Sequence, residues 1–269
     1  MLKRWIPSTR PLVAAVLCCV VAGCSGGGGA TPTSPTAQPS TGGAAPPTTA
    51  SDGTTLLQNL PIDLSALDYA AIVALRAGRE PDWLPLEDFG RVLPVTSARP
   101  VSQPNPQPTF FAPLGTPVLA VVSGTVMSVS TLYSNDFSIM IASPGQGGTW
   151  EHEHVMNVRV TVGARVTAGQ QIGEVSDYEC SWGRGGNPSD PLCQSRLGLV
   201  EIGLLYGGNP PMHRCPFEPE VVAPERQADI FGQLTSARSR IKAAFGDPDL
   251  FGESAWATPH CVTLGRVAG

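Results

Sequence analysis

The sequence predicts a mainly β fold, α+β overall, built as a compact antiparallel β sandwich or barrel with an N-terminal helix and a C-terminal amphipathic helix. Of the 269 residues, 57 are glycine or proline and only 14% are charged, which disfavours a helical bundle or a coiled coil. Short segments rich in Val, Ile and Thr, separated by turn residues, are typical of antiparallel strands. The predicted strand segments are 117–129, 137–142, 150–162, 165–175 and 199–205.

The first residues have the pattern of a bacterial export signal. Two basic residues precede an apolar run over 11–22, which is shorter than the roughly 20 residues that a transmembrane helix needs. The run ends in Val-Ala-Gly-Cys24, which resembles the cleavage box of bacterial lipoproteins; a plain signal peptide with incidental cysteines is the alternative. We therefore expect a signal peptide over 1–23, lipidation of Cys24, and an exported protein that the lipid anchors to the membrane of the bacterial cell envelope. Ser25 implies the outer membrane if the source has one.

The remainder of the chain divides into a tether and a folded part. Residues 25–55 contain one charged residue and almost no large apolar side chain, so they cannot bury enough surface to offset the entropy of ordering them. The predicted parts are a lipidated cysteine with a disordered linker (24–55), a helical and proline-rich lead-in (56–108), a β domain (109–206) and a C-terminal helical extension packed on that domain (207–269).

Two segments have helical periodicity. Residues 63–78 begin with a capping Asp or Ser and end in glycine. Residues 224–245 start at a proline and stop at Gly-Asp-Pro, with apolar side chains every three to four positions. This apolar stripe predicts a helix that packs on the β core, and its members are Ile230, Phe231, Leu234, Ala237, Ile241, Ala244 and Phe245.

Four cysteines remain after the signal and the lipidation site: Cys180, Cys193, Cys215 and Cys261. An even number in an exported chain, without a Cys-x-x-Cys pair, favours two disulfides over a metal cluster. Of the three possible pairings we predict Cys180–Cys193, which would close a Gly/Pro-rich loop, and Cys215–Cys261, which would hold the C-terminal tail.

Several motifs in the central segment carry a family resemblance. They are Ala-Pro-Leu-Gly at 112–115, Ser-Gly-Thr-Val at 123–126, His-Glu-His at 152–154, and a Val-x-x-Gly-x-x-Val-x-x-Gly-Gln-x-Ile-Gly hairpin at 160–173. Together they resemble the lysostaphin-like (LytM-type) peptidoglycan metallopeptidase domain over roughly 105–206. The resemblance implies the duplicated-hybrid-motif fold. In its hairpin, Gly163 and Gly169 are expected at strand reversals that need a positive φ.

The metal ligands of the family are not matched in this sequence. The resemblance implies zinc held by a His and an Asp four residues apart and by the second His of a later His-x-His, which follows the glycine hairpin and is not the His-Glu-His at 152–154. Those three positions fall on Asn105, Thr109 and Leu199. The lone catalytic histidine before the glycine hairpin is matched by His154, which we interpret as vestigial. We therefore expect no cofactor.

A second hypothesis keeps a metal. If residues 150–156 form a regular strand, His152 and His154 share a face and could hold zinc together with a carboxylate such as Glu201. The protein would then be a zinc metalloendopeptidase with a rewired site. The alternative is that both histidines are polar strand residues that hydrogen-bond to nearby acids such as Glu151.

These observations predict a catalytically degenerate, peptidase-like lipoprotein rather than an enzyme. Its expected role is a scaffold or regulator that binds peptidoglycan or an envelope protein. A metal-dependent peptidoglycan hydrolase using His152 and His154 is the alternative, and a passive structural lipoprotein is a third. The net charge is −5 and no basic run follows the first residues, so no nucleic-acid partner is expected.

Overall fold

The computed structural model describes residues 55–76, 84–93, 101–142, 148–181, 186–189, 191–207, 210–263 and 266–268. The predicted signal peptide, the lipidation site Cys24 and nearly all of the predicted linker lie outside these ranges, so their predictions stay predictions. Within the described ranges, no helix combines the length and the apolar character needed to cross a membrane.

Most of the regular structure is antiparallel β sheet, as predicted. The strands are β1 (Leu86–Glu87), β2 (Val92–Leu93), β3 (Gln103–Pro104), β4 (Thr109–Pro113), β5 (Pro117–Leu119), β6 (Gly124–Thr131), β7 (Phe137–Ala142), β8 (Thr149–Met156), β9 (Arg165–Val166), β10 (Gln171–Val175), β11 (Leu197–Tyr206), β12 (Met212–Arg214) and β13 (Arg266–Ala268). Eleven of them join one sheet, whose main path runs β1-β4-β11-β8-β7-β6-β9. β10 pairs with β5 and β8, β12 pairs with β11 and β13, and β2 and β3 form a separate hairpin.

The helices lie before, within and after the sheet segment. They are α1 (Tyr69–Arg76), α2 (Tyr178–Ser181), α3 (Pro191–Ser195) and α4 (Gln227–Phe245), with short 3-10 turns at Leu64–Ala66, Pro219–Val221, Pro224–Arg226 and Glu253–Ala255. The predicted N-terminal helix is therefore split in two. Asp63 caps the 3-10 turn through the N–H of Ser65, and Asp68 accepts the N–H of Ala71 at the start of α1.

The C-terminal helix forms where the apolar stripe predicts it. Its four fully buried apolar side chains join the sheet core: Ile230, Leu234, Ala237 and Ile241. Phe245, at the end of the predicted stripe, is 39% exposed. α4 ends at Gly246, which adopts a φ of +70° and returns its N–H to the last turn. α4 also packs against α1, and Arg240 of α4 donates to the carbonyl of Leu64 at 2.6 Å.

Part of the predicted strand segment 150–162 is not a strand. β8 ends at Met156, and residues 157–164 run as an irregular loop with a turn, although their Val-x-Val-x-Val alternation predicts strand. Asn157 has a φ of +48°, which breaks the extended conformation at this point. Gly163 and Gly169 have φ values of +85° and +81°, so the expectation of positive φ at both glycines is confirmed.

Both predicted disulfides are present. Cys180–Cys193 joins α2 to α3, and Cys215–Cys261 joins the segment after β12 to the C-terminal tail across 46 residues. Both sulfur atoms of the second bridge belong to fully buried residues of the main core. One disulfide thus joins two short helices between β10 and β11, and the other fixes the C-terminal tail to the core.

Candidate functional site

The candidate site lies on one face of the sheet, where β8 runs between β11 and β7. Glu153 of β8 is paired in register with Glu201 of β11, so the two side chains leave the sheet on the same face. Glu151, two residues earlier on β8, belongs to that face as well. We call the surface formed by Glu151, Glu153 and Glu201 the acidic face.

A β-bulge in β8 adds a histidine to the acidic face. Between the pairs Phe137–Val155 and Ile139–His152, β7 advances by two residues and β8 by three, so β8 carries one extra residue here. His154 lies in this bulge with a φ of +59°, a left-handed conformation that is uncommon outside glycine. The bulge leaves both Glu153 and His154 on the acidic face, with donor atoms close to Glu201.

The prediction that His152 and His154 share a face is wrong. His152 pairs with Ile202, the position next to the Glu153–Glu201 pair, so its side chain points to the opposite face of the sheet. It is fully buried there, and its Nε2 accepts the N–H of Val121 at 3.1 Å. Burial lowers the pKa of His152 to about 4, so the ring is neutral at physiological pH. The alternation of a regular strand predicts the shared face, and the extra residue of the bulge removes it. His152 therefore takes no part in the cluster.

His154 is held from one side by a carboxylate and covered by an aromatic ring. Its Nδ1 lies 2.8 Å from Oδ2 of Asp136, and the Asp136 side chain also accepts a hydrogen bond from Ser134. The ring of Tyr178 lies 4.1 Å from the His154 ring, centroid to centroid. Only 4% of His154 is exposed. These contacts orient Nε2, the free ring nitrogen, toward Glu201, whose Oε2 is 3.9 Å away.

Three side chains of this face bring metal-ligand atoms together. One donor atom each from Glu153, His154 and Glu201 lies within 4.8 Å of the others, and no other group of three such residues does so in the described part of the chain. Oε1 of Glu201 accepts the hydroxyl of Thr109 at 3.0 Å. Of the predicted set His152, His154 and Glu201, the structure brings His154 and Glu201 together, joins Glu153 to them, and leaves His152 in the core.

Burial and like charges perturb the titration of this face. Burial raises the pKa of Glu153, and the charges of Glu151 and Glu201 raise it further, to about 8. Burial likewise raises the pKa of Glu151. For His154, burial opposes protonation, but the hydrogen bond to Asp136 and the nearby carboxylates hold its pKa above the ordinary value. The carboxyl groups and the imidazole of this face therefore hold their protons to a higher pH than exposed groups of the same kind do.

The positions predicted to match the family's zinc ligands do not fit a zinc ion. Asn105 is engaged in the fold: its Nδ2 donates to the carbonyl of Asp88 at 3.4 Å and its Oδ1 accepts the N–H of Gln107 at 3.2 Å. Thr109 donates to Glu201, and Leu199 is a buried aliphatic side chain. An amide, a hydroxyl and an alkyl group do not form the set of three nitrogen or oxygen ligands that a zinc centre uses.

The disulfide Cys180–Cys193 lies next to the site. Cys180 is two residues after Tyr178 in α2, so the bond to α3 restrains the short helix that places the tyrosine ring on His154. The hydroxyl of Tyr178 is 3.3 Å from that of Tyr133, whose side chain is 68% exposed. The ring of Tyr133 thus forms an exposed aromatic edge of the candidate site.

Sequence reasoning found His154 and Glu201 but missed the roles of Asp136, Glu153 and Tyr178. Asp136 lies 18 residues before His154 and directly follows Asn135, whose φ is +65°. The Ser-Asn-Asp sequence indicates a turn, but it does not indicate that Asp136 would bind His154. Glu153 stands between the two histidines, and strand alternation assigns it to the opposite face from His154. Only the bulge brings the two together.

A comparison with protein families agrees with the predicted resemblance. Residues 108–185 match the family model described as Peptidase family M23, so this segment is similar to an M23 peptidase domain. No curated protein sequence matches the chain.

Solved structures of this kind are similar to about half of the chain. The catalytic domain of the prophage-encoded M23 protein EnpA from Enterococcus faecalis is 22% identical, with 49% of this chain and 87% of that chain covered and a TM-score of 0.36. The catalytic domain of lysostaphin from Staphylococcus simulans is 18% identical, with 48% and 86% covered and a TM-score of 0.35. A zinc-containing peptidase from Vibrio cholerae is 15% identical, with 57% and 41% covered and a TM-score of 0.37.

Proposed function

We propose that this protein is a lipid-anchored protein of the bacterial cell envelope whose M23 domain binds peptidoglycan without hydrolysing it, as a scaffold or as a regulator of a hydrolase. The lipid anchor is inferred from Cys24 and the export signal before it. The substrate class is inferred from the resemblance to peptidoglycan metallopeptidases.

One observation carries the non-catalytic part of this proposal. The positions matching the family's zinc ligands hold Asn105, Thr109 and Leu199, and the two polar ones are engaged in hydrogen bonds that hold the fold. Activation of water by zinc requires a metal with several protein ligands and an open position. A domain that keeps the strands of a peptidase but fills these positions with other side chains is suited to binding rather than cleavage.

The exposed edge of the site offers a surface for a glycan or a peptide. Tyr133 is 68% exposed and its ring packs edge-to-face on Tyr178 with 6.3 Å between centroids. An exposed aromatic ring beside a recessed polar surface provides apolar area together with hydrogen-bonding groups. We therefore expect Tyr133 to contact bound peptidoglycan.

Co-sedimentation with purified insoluble peptidoglycan tests the proposal. The full chain should pellet with the polymer and release no soluble fragments, with or without added zinc. Tyr133→Ala should reduce the bound fraction severalfold, whereas Met127→Ala, which also removes an exposed side chain of the β domain, should leave it unchanged.

Two results would contradict the proposal. Zinc-dependent release of fragments that is lost in His154→Ala would establish the alternative, a metal-dependent hydrolase. Absence of the chain from the pellet would remove peptidoglycan as the ligand and leave an envelope protein or a passive structural role.

A further inference from the structure

We propose that Glu153, His154 and Glu201 form a binding site for a divalent transition-metal ion such as zinc. None of these three residues is at a position matched to the family's zinc ligands. This site would exist whether or not the domain binds peptidoglycan.

The donor atoms are already close to the spacing that a metal requires. Zinc bonds to nitrogen and oxygen ligands are about 2.0–2.2 Å long, so two ligands of a tetrahedral ion lie roughly 3.4 Å apart. His154 Nε2 and Glu201 Oε2 are 3.9 Å apart, and all three donor atoms lie within 4.8 Å of one another. Small rotations of the two glutamate side chains, which are partly exposed, suffice to close the difference.

His154 has the support that metal-binding histidines have. A ligating imidazole typically donates its second N–H to a carboxylate, which sets the tautomer and the ring orientation. Here Nδ1 lies 2.8 Å from Asp136 Oδ2, which directs Nε2 at the cluster. Although His154 is only 4% exposed, its Nε2 makes no hydrogen bond with the described residues, and Glu201 Oε2 is 3.9 Å away. A buried, oriented ring with no hydrogen bond at its second nitrogen is suited to bind a metal ion.

The carboxyl groups of the site lack a lysine or arginine partner. Glu151, Glu153 and Glu201 lie on one face, and no lysine or arginine forms an ion pair with any of them in the described ranges; their hydrogen-bond partners include hydroxyl and amide groups, such as Ser138 and Gln107 on Glu151. Buried or half-buried carboxylates are generally paired with a cation or coordinate a metal. A divalent ion would supply positive charge to these carboxyl groups.

The chemistry of the donors indicates the class of metal. Imidazole nitrogen favours zinc and neighbouring transition metals over magnesium and calcium, which prefer all-oxygen sites. Three protein ligands leave at least one coordination position for water or for a group of a bound ligand.

Titration of the metal-stripped full chain tests the site. Zn²⁺ is added in competition with a chromophoric chelator, and the melting temperature is followed in parallel. We expect one equivalent of Zn²⁺ to bind and to raise the melting temperature. Glu153→Gln, Glu201→Gln and His154→Asn should each weaken binding at least about tenfold, and Asp136→Asn about 10- to 100-fold. Asn is chosen at position 154 because it tolerates a positive φ.

Two controls separate this site from other sources of binding. Glu174→Gln changes a carboxylate on β10 that already pairs with Asn157 and Arg159 and should leave Zn²⁺ affinity unchanged. Bound Co²⁺ should show ligand-field bands without thiolate charge transfer, which excludes the cysteines as ligands. The proposal is overturned if the folded wild-type chain binds no stoichiometric Zn²⁺, or if Glu153→Gln and Glu201→Gln, folded by circular dichroism, bind it as tightly as the wild type.

Discussion

Asp88 and Arg238 form an ion pair that is almost completely buried, although 150 residues separate them in the chain. Asp88 follows β1 in the lead-in, and Arg238 projects from α4. The guanidinium also hydrogen-bonds with Nδ1 of His260 and lies 4.9 Å above the ring of Trp256. This ion pair therefore ties the lead-in, which precedes the segment matched by the family model, to the helix that follows that segment.

Removal of one partner of this ion pair should destabilise the protein strongly. Arg238→Met leaves the Asp88 carboxylate buried without its counter-charge, for which we expect a loss of about 3–5 kcal/mol in the free energy of unfolding, measured by urea denaturation. The double variant Arg238→Met/Asp88→Leu should recover much of that loss. As a control, Asp229→Asn breaks the exposed pair with Arg226 and should cost less than about 1 kcal/mol. A similar small cost for Arg238→Met would contradict the prediction.

The two disulfides should contribute unequally to stability. Cys180–Cys193 closes a loop with a sequence separation of 13 and Cys215–Cys261 one of 46. Chain-entropy arguments give about 3 kcal/mol for the shorter loop and about 4 kcal/mol for the longer one. We expect the double alanine variant of the longer bridge to be the less stable of the two in denaturant unfolding. Equal midpoints, or a larger loss for Cys180→Ala/Cys193→Ala, would show that strain or residual structure dominates.

Acid should destabilise the fold through buried neutral histidines. Burial lowers the pKa of His213 to about 4, and burial together with Arg238 lowers that of His260 to about 3. In the unfolded chain both imidazoles titrate near 6.5, so between pH 6.5 and 4 the unfolded state binds more protons. Stability is therefore complete above about pH 6.5 and is lost as the pH falls toward 4.

Replacement of His213 measures its share of this acid sensitivity. His213→Gln should lose less stability between pH 7 and pH 4.5 than the wild type, with a difference on the order of 1–2 kcal/mol, followed by urea unfolding at each pH. Parallel pH profiles of the two proteins would refute the assignment to His213.

Two glycines should respond to alanine in opposite directions. A Cβ at Gly198 would lie 2.4 Å from the backbone carbonyl of Ser176, so Gly198→Ala must move β11 and should cost more than about 2 kcal/mol. Gly232 is exposed in α4 and has nothing within 4 Å of an added Cβ. Gly232→Ala should therefore stabilise the protein by about 0.5–1 kcal/mol. Thermal melts of the two variants check both signs, and a stabilised Gly198→Ala would contradict the structure.

Much of the fold could be predicted because it depends on local chemistry. Segment 137–142 forms β7 as its residues predict, and the stripe with Ile230, Leu234 and Ile241 forms the buried side of α4. The predicted pairing of the cysteines, chosen from three possible ones, is confirmed. The failure at 157–162 has a physical cause. Alternating valines predict a strand, but β8 ends at Met156 and the next residues form no ladder, although the N–H of Arg159 donates to the carbonyl of Ile172 in β10.

The candidate site was predictable only in part. His154 and Glu201 could be picked out by their motifs, but the choice of Glu153 over His152 depends on one extra residue in β8. A bulge forms in response to the register of two neighbouring strands, which a single segment does not encode. In the same way, the pattern of α4 predicts its apolar side but not that Arg238 is buried, because the partner Asp88 lies on a distant segment.

The sequence by itself determined the elements of this protein: short strands with glycine turns, an amphipathic C-terminal helix and two disulfides. It also predicts that Asn105, Thr109 and Leu199 stand where the family has its zinc ligands. The tertiary structure alone decided which polar groups meet. It turned His152 into the core and placed His154 beside Glu153 and Glu201. The reason is that element formation follows from periodicity along the chain, whereas the composition of a site follows from register and burial between strands that are far apart in sequence.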